Sequence, residues 1–249
     1  MENELQETPS LTKREKRELA KQEKQTEKLK NENTKKLKDW GIRIVAVLLL
    51  AFGGYKVWQW INTPQPDGQE NGILAVRGDD WVKGGNDAKV TLIEYADFEC
   101  PACAIYSTEV IKKLTDEFGA NLRVVYRHFP LPQHKTAVDA AKAAEAAGVQ
   151  GKFWEMHDLL YLNQADWSRG SANDKFRQYA QSLGLDMTKY DADFGSEIVS
   201  QSIKNDESDG YALRINATPT FYVNGKVVNM KSGLDDLKKA VEEALGNNK

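Results

Sequence analysis

The sequence predicts an α/β domain in which a β-α-β unit and a β-β-α unit are separated by a block of helices, preceded by one N-terminal transmembrane helix. Three observations predict this arrangement. Two apolar stretches rich in β-forming residues, 88–98 and 121–131, flank a stretch with helical spacing. Helical spacing then continues over about 134–213, and residues 218–228 read as two strands around a tight turn. An apolar segment over 40–61 precedes all of them.

The segment over 40–61 is the candidate membrane span. Its uncharged centre alone is short for a hydrocarbon layer of about 30 Å. The full segment is long enough, because it spans roughly 33 Å as a helix that rises about 1.5 Å per residue. Arg43 and Lys56 would then extend their charged ends towards water. A buried core helix is one alternative, and a signal peptide cleaved near Ala51 and Gly53 is another.

The charge on the two sides of this segment favours an uncleaved signal anchor. Residues 1–43 hold 12 Lys/Arg and 9 Asp/Glu, whereas residues 62–249 hold 21 Lys/Arg and 28 Asp/Glu. Positive charge collects on the cytoplasmic side of a membrane. The sequence therefore predicts a single-pass protein of the cell membrane, with a charged cytoplasmic arm over 1–39 and an extracytoplasmic domain. Such an arm is much longer than the N-terminal region of a usual signal peptide.

Between the anchor and the domain, residues 62–85 are predicted to be a linker, because its first half is rich in Pro, Gly and Gln. The folded domain is predicted over 86–249. Its first strand is apolar enough to be buried. In the helix that follows, apolar residues recur every three or four positions, and Gly119 is placed to end it. Asn224-Gly225 is a strong hairpin signal.

The chemistry is expected at the motif CPAC, since Cys100 and Cys103 are the only two cysteines in the chain. A structural zinc site takes four nitrogen or sulfur ligands, often as two pairs. This chain has 3 histidines and no second close pair, so no metal site is predicted. A structural disulfide is a further alternative, but a bridge across two residues removes little entropy from the unfolded chain. A redox pair explains the spacing best.

The position of the pair in the predicted fold gives it a redox mechanism. A strand that ends near Phe98 and a helix that starts near Pro101 place Cys100 at a helix N-terminus. Unpaired N–H groups and the helix dipole stabilise a thiolate there. Cys100 is therefore the predicted nucleophile. Cys103 is predicted to face inward one turn later and to resolve the mixed disulfide.

To resolve the mixed disulfide, Cys103 must first lose its proton to an acceptor nearby. Glu94 lies six residues before Cys100 on the strand predicted to be buried, and burial raises the pKa of a carboxyl group. Glu94 is therefore a candidate proton relay. The alternative is a solvated glutamate at an edge of the sheet. Asp97 and Glu99 are expected at the exposed end of the strand.

Several of these features together resemble one known family. The CPAC pair, the acidic residue six positions before it, the segment ATPTFYVNG and the helical block resemble the DsbA-like thiol-disulfide oxidoreductases of the thioredoxin superfamily. The resemblance covers about 74–246 and includes HFPL and GKFWEMHDLLY. It implies a thioredoxin-like fold with a helical insertion at about 134–213, and a redox centre that needs no cofactor or metal.

The resemblance also implies a cis bond between Thr218 and Pro219, in a loop that faces the cysteine pair. A cis X-Pro bond makes a tight turn and lacks an N–H donor, and the neighbouring backbone is free to pair with an extended client. Thr218, Pro219, Pro101 and Ala102 are the implied substrate-binding residues, and Glu94 falls on the family's acid-relay position. Ala102 departs from the family's strong oxidants, which carry a histidine there that contacts the thiolate.

These features predict an extracytoplasmic thiol-disulfide oxidoreductase, in the first place a disulfide oxidase for exported proteins. A disulfide reductase or isomerase that uses the same site is one alternative, because with alanine at position 102 the direction of electron flow through the pair stays open. A non-catalytic, chaperone-like module that binds clients is another. The expected partners are protein clients with thiols or disulfides, a membrane or thiol redox partner that regenerates the pair, and the membrane itself. Nucleic acid is not expected, since the formal net charge is −3.

Overall fold

The computed structural model describes residues 50, 52–56, 72–169 and 172–246. The chain divides into two compact units, Met1–Pro64 and Gln65–Lys249. In the first unit, residues 52–56 are helical and exposed. The predicted arm and most of the predicted anchor lie outside the described residues. Within the described ranges, no helix combines the length and the apolar character that crossing a membrane requires.

Five strands of the second unit form one mixed sheet. They are β1 (Trp81–Lys83), β2 (Val90–Ala96), β3 (Leu122–His128), β4 (Thr220–Val223) and β5 (Lys226–Val227). Their order across the sheet is β1-β3-β2-β4-β5. β2 and β3 are parallel, and the other neighbouring pairs are antiparallel. β2 and β3 are buried on both faces, which agrees with their nearly continuous apolar sequence.

One long helix, α1, connects the two parallel strands. It is α-helical over Pro101–Ile105, π-helical over Tyr106–Ile111 and α-helical again over Lys112–Phe118. It ends at Gly119, as predicted. The φ of Gly119 is 51°, a left-handed value that costs glycine little because it has no Cβ.

Between β3 and β4, the described residues form six helices. They are α2 (Ala137–Val149), α3 (Phe153–Leu162), α4 (Gln164–Trp167), α5 (Ala172–Ser182), α6 (Met187–Phe194) and α7 (Glu197–Ala212). These helices occupy the interval in which the helical insertion was predicted. The alanine-rich α2 lies at the centre and contacts α3, α5, α6 and α7. Its small side chains allow the neighbouring helices to approach closely, which buries most of α2.

The predicted hairpin is present, and a last helix follows it. Val223 pairs with Lys226 across the turn. Asn224 and Gly225 have φ values of 46° and 81°, and positive φ at both central residues is what a type I′ turn requires. The helix after the hairpin is α8 (Leu234–Gly246).

The two faces of the sheet have different partners. Side chains alternate between the faces along a strand. Val90 and Leu92 of β2 pack with residues of α1 and α8. Ile93 and Tyr95 pack with the N-terminal segment of the domain and the residues that follow α7. By this alternation Glu94 belongs to the face that α1 covers, which is the side of the cysteine helix.

The predicted linker over 62–85 extends too far. Trp81–Lys83 is the edge strand β1. The ring of Trp81 stacks on Phe153 with the centroids 4.5 Å apart, and its Nε1–H donates to Glu145 (2.8 Å). A strand of three residues is too short for its period-two pattern to be recognised in the sequence. The folded domain therefore starts before residue 86.

Candidate active site

The turn from β2 into α1 places Cys100 at the N-cap of the helix. Its backbone is extended (φ −75°, ψ 120°), and Pro101 follows in the first turn. The N–H of Cys100 donates to the carbonyl of Asp97 (3.1 Å), and the carbonyl of Cys100 accepts from Ala104 (3.2 Å). The N–H groups of Ala102 and Cys103 are thereby directed to the Cys100 sulfur.

The two thiols are free, and their environments differ. Cys100 is 7% exposed and Cys103 is 0% exposed. The pKa of Cys100 is lowered to about 5, because the Cys103 thiol, Thr218 and two backbone N–H groups form hydrogen bonds with the thiolate and outweigh the effect of burial. Burial, and then the hydrogen bond to Cys100, raises the pKa of Cys103 well above its usual value. This is the asymmetry expected of an attacking and a resolving thiol.

The loop before β4 lies beside Cys100. The Thr218-Pro219 bond is cis, as predicted. The Cys100 Sγ lies 3.5 Å from the carbonyl oxygen of Thr218. Pro101 and Ala102 are exposed next to the thiol. Thr218, Pro101 and Ala102 therefore lie close to Cys100 in space or in sequence, and Pro219 follows Thr218 directly.

Glu94 is buried below the pair. It is 1% exposed, and its Oε1 has no hydrogen-bond partner. Burial, and then the negative charge of the Cys100 thiolate, raises the pKa of Glu94 to about 8. The charge of Glu94 in turn contributes to the raised pKa of Cys103. The alternative of a solvated glutamate at the sheet edge is excluded.

Glu94 also lines a cavity of about 460 Å³. Ionisable and hydroxyl side chains from β1, α1 and α3 form much of its wall, among them Lys83, Ser107, Thr108, Lys112, Asp116, His157 and Asp158. Lys112 and Asp116 are exposed, so the cavity opens to solvent. A cavity of this size and polarity is able to hold water. It offers Glu94 a route for proton exchange with solvent.

The expectation that Asp97 and Glu99 lie at an exposed strand end is wrong. Asp97 is 1% exposed. Its carboxylate accepts from the N–H groups of Glu99 and Leu131 and pairs with His134 Nδ1, each at 2.7 Å. The carboxylate of Glu99 accepts from the N–H and the hydroxyl of Thr136. Both acids thus fasten the loop after β3 to the cysteine turn, and their partners lie 34 to 37 residues away in the chain.

Two residues at the site were not predicted from the sequence. Gln164 Nε2 donates to the carbonyls of Phe98 (2.6 Å) and Cys100 (3.0 Å). The hydroxyl of Tyr161 donates to the carbonyl of Asp97 (3.4 Å). Each lies at least 64 residues from its partner in the chain. Only the packing of the insertion against the cysteine turn brings them there.

The histidines of the domain form hydrogen-bonded pairs with carboxylates. His128 pairs with Glu145 (2.9 Å), and His157 pairs with Asp158 (2.9 Å). His134 pairs with Asp97 through its Nδ1. Among the residues that the structure describes, no three His, Cys, Asp or Glu side chains are grouped to bind a metal ion.

Comparison with known families decides the classification. The family model described as Thioredoxin matches residues 77–243, which span the sheet, the insertion and the cysteine pair. The chain belongs to this family. The resemblance to the thioredoxin superfamily seen in the sequence is confirmed by this match, and solved DsbA proteins share the fold. Wolbachia pipientis alpha-DsbA1, for example, has a TM-score of 0.63 at 19% identity, covering 70% of this chain and 95% of its own.

Two solved structures of the thioredoxin family reach a higher identity. BdbD from Bacillus subtilis, in its oxidised form, is 25% identical with a TM-score of 0.60, covering 66% of this chain and 92% of its own. A thioredoxin-like oxidoreductase from Silicibacter pomeroyi is 27% identical with a TM-score of 0.60, covering 71% and 98%. This domain shares their fold and carries the paired thiols of Cys100 and Cys103 in it.

A curated relative of a different overall kind is similar to about three quarters of this chain. The Na(+)/H(+) antiporter NhaA 1 of Mycolicibacterium gilvum is 40% identical over 193 residues. The match covers 75% of this chain but 30% of the antiporter. The chain thus spans about 30% of the length of this relative, and antiport is not transferred to it.

Proposed function

We propose that this thioredoxin-family protein is a disulfide oxidase for exported proteins. The observation that carries the proposal is the asymmetry of the pair, in which the Cys100 thiolate is stabilised and Cys103 is kept a thiol. A stabilised thiolate favours the reduced form of the pair. A pair whose reduced form is stabilised is a strong oxidant, because it tends to pass its disulfide to a client.

In the oxidase direction, a client thiolate attacks the Cys100 sulfur of the Cys100–Cys103 disulfide. The bond between the two cysteines breaks, a client–Cys100 disulfide forms, and Cys103 leaves as a thiolate. Glu94, whose pKa is raised by burial, holds a proton that it gives to Cys103. The cavity beside Glu94 then supplies a replacement proton from solvent.

The client's second thiolate completes the transfer. It attacks the client sulfur of the mixed disulfide and releases Cys100 as a stabilised thiolate. The client loses two electrons and the pair gains them, so a membrane quinone-linked or thiol-linked partner must oxidise the pair again. The backbone of Thr218 beside Cys100 gives an extended client segment a site for strand-like pairing.

Cysteine variants test this proposal with a reduced, unfolded client that holds two cysteines. We expect Cys100→Ser to abolish client oxidation, because the nucleophile's position loses its sulfur. Offered the client in its disulfide form instead, Cys103→Ala should accumulate client–Cys100 disulfides, visible as a shift on non-reducing gels, because the Cys100 thiolate attacks the client disulfide and no resolving thiol remains. Undiminished cellular activity of Cys100→Ser would instead support the chaperone-like alternative and contradict the oxidase.

The proposed place of action is outside the cytoplasm, with the chain anchored over 40–61. The positive excess before this segment and the acidic excess after it support that orientation. Redox exchange through the Cys100–Cys103 pair also suits an oxidising compartment. Protease added to spheroplasts should digest the domain and spare an epitope placed before residue 40. A domain that stays protected until the membrane is lysed would contradict this placement.

A further inference from the structure

The cysteine turn is bound from the outside by one side chain of the helical insertion. Gln164 Nε2 donates to the carbonyl of Phe98, just before Cys100, at 2.6 Å and to the carbonyl of Cys100 itself at 3.0 Å. One amide group therefore spans the turn at the point where β2 becomes α1. The carbonyl of Cys100 also accepts the first bond of the helix, from Ala104.

Gln164 is itself held in a fixed position. It is the first residue of the short helix α4, which ends at Trp167. Trp167 is 0% exposed, donates its Nε1–H to the carbonyl of Leu160 (2.7 Å) and packs edge-on against Phe176. The insertion, and not the turn, therefore determines where the Gln164 amide lies.

The stability of the Cys100 thiolate depends largely on the backbone of this turn. Ala102, between Pro101 and Cys103, has a methyl group and no side-chain donor for the thiolate. Apart from the Cys103 thiol and Thr218, the donors to Cys100 are the backbone N–H groups of Ala102 and Cys103. These N–H groups lie in the first turn of α1, so their direction depends on how the backbone enters the helix at Cys100. The two carbonyls that Gln164 binds belong to planes of this turn.

We propose that Gln164 is a positioning residue that holds the cysteine turn in the shape that stabilises the thiolate, so that the helical insertion contributes to the reduction potential of the pair. The inference rests on the proposed disulfide exchange and adds to it a residue outside the CPAC motif. It assigns to Gln164 part of the role that a donor side chain at position 102 would have.

The test is a pair of glutamine substitutions in the full-length chain. Gln164→Met keeps the length of the side chain and removes the donor. Gln150→Met is the matched control, since the side chain of Gln150 also makes two backbone hydrogen bonds in the insertion, to the carbonyl (3.2 Å) and N–H (3.0 Å) of Asp186. Neither of these bonds touches the cysteine turn. Gln164→Glu is a second variant, whose carboxylate accepts and does not donate.

Two readouts separate positioning from a merely structural role. The first is equilibration of the pair with glutathione buffers, and the second is the pH titration of the Cys100 thiolate by ultraviolet absorbance. We expect Gln164→Met to weaken the reduced form by about fivefold in the glutathione equilibrium, which is about 20 mV for two electrons. The thiolate titration should move to higher pH. Cys103 and Glu94 also face Cys100. Neither residue is substituted in Gln164→Met, so the expected shift does not come from a change in them.

Each outcome decides for or against the inference. Shifts in Gln164→Met and Gln164→Glu, with wild-type values in Gln150→Met, support it. Wild-type potential and titration in a folded Gln164→Met contradict it, as do equal shifts in Gln150→Met. If Gln164→Met alone does not fold, Gln164→Leu, which also lacks the donor and adds no charge, gives the same comparison. A wild-type pair that never cycles would overturn the proposed function, which is distinguishable from a cycling pair that Gln164 leaves unaffected.

Discussion

At the scale of single residues, the site combines one stabilised thiolate, one buried thiol and one buried acid. Cys100 and Cys103 have pKa values displaced in opposite directions. Glu94 has a raised pKa and a carboxyl oxygen without a partner. A buried carboxyl group without a hydrogen-bond partner reduces the stability of the fold. The position of Glu94 is therefore better explained by a role in proton transfer than by a role in stabilising the fold.

Glu94→Gln tests the proton relay. When reduced protein attacks oxidised glutathione, Cys103 must lose a proton before it resolves the Cys100–glutathione disulfide. We expect Glu94→Gln to slow this step by about a hundredfold, because an amide does not accept the proton. In the wild type the rate should rise with pH as Glu94 loses its proton, at a higher pH than for an ordinary glutamate because burial raises its pKa, and this rise should be absent in the variant. Rapid acid quenching and mass spectrometry measure the step.

Glu99→Gln is the matched control for the relay. Glu99 bonds to Thr136 in the loop after β3, so its substitution should leave the pH dependence of resolution in place. Equal rates for Glu94→Gln and wild type across the pH range would contradict the relay.

Glu94→Gln should also change how the stability of the protein depends on pH. The pKa of Glu94 is about 8 in the folded protein, whereas an ordinary glutamate has a pKa of 4.5. Between these two pH values the folded protein keeps the proton of Glu94, and the unfolded chain has lost it. Its contribution to the free energy of unfolding is present below pH 4.5 and is lost as pH rises towards 8. Glu94→Gln should therefore gain stability relative to wild type as pH increases through this window, as denaturant titration would show.

At the scale of elements, the insertion contacts both the active-site turn and the edge strand. Gln164 binds the turn, and Trp81 of β1 stacks on Phe153 of α3. Gly148 near the end of α2 makes room for this tryptophan. A Cβ at Gly148 would overlap the Trp81 ring, so glycine is required there by close packing and not by its backbone angles.

Gly148→Ala should therefore displace Trp81 and weaken the domain. Overpacking of this kind costs about 1–3 kcal/mol, measurable as a lower midpoint in denaturant titration followed by tryptophan fluorescence. Gly195→Ala is the control, since the atom nearest to an added methyl group there, the Asp191 carbonyl oxygen, is 3.7 Å away. Equal midpoints for Gly148→Ala and wild type would show that Trp81 does not pack as described.

The elements also show which features of the structure can be predicted from the sequence and which cannot. Helix α1, the hairpin at Asn224-Gly225 and the position of Cys100 follow local rules, and a pattern within about 20 residues predicts each of them. β1 is too short to have a pattern. The burial of Asp97 and the role of Gln164 depend on residues 34 to 66 positions away. Such contacts arise from tertiary packing, which one sequence does not display.

At the scale of the whole domain, a buried ion pair joins the N-terminal segment to the sheet. Arg127 of β3 binds Asp80 through two hydrogen bonds of 2.9 Å and also donates to the carbonyls of Ile73 and Ala75. The side chains of Arg127 and Asp80 are both 0% exposed. The segment before β1 is thus part of the domain, which is why the fold does not begin at residue 86.

Arg127→Ala should destabilise the domain strongly. The substitution leaves Asp80 buried without its cation, and breaking a buried pair from one side costs about 3–5 kcal/mol. Chemical denaturation of the reduced protein measures the loss. Arg123→Ala, on the same strand but half-buried with a bond to Thr91, should cost less. A loss in Arg127→Ala no larger than in Arg123→Ala would contradict the structural role of the pair.

The central claim concerns the direction in which the pair carries electrons, and its reduction potential tests that claim most directly. Equilibration of the full-length chain with glutathione buffers, followed by alkylation of the free thiols, gives the value. The stabilised Cys100 thiolate predicts a potential near about −120 mV, at which the pair donates its disulfide to folding clients. A value near about −270 mV would contradict the oxidase, because a pair of that potential reduces disulfides.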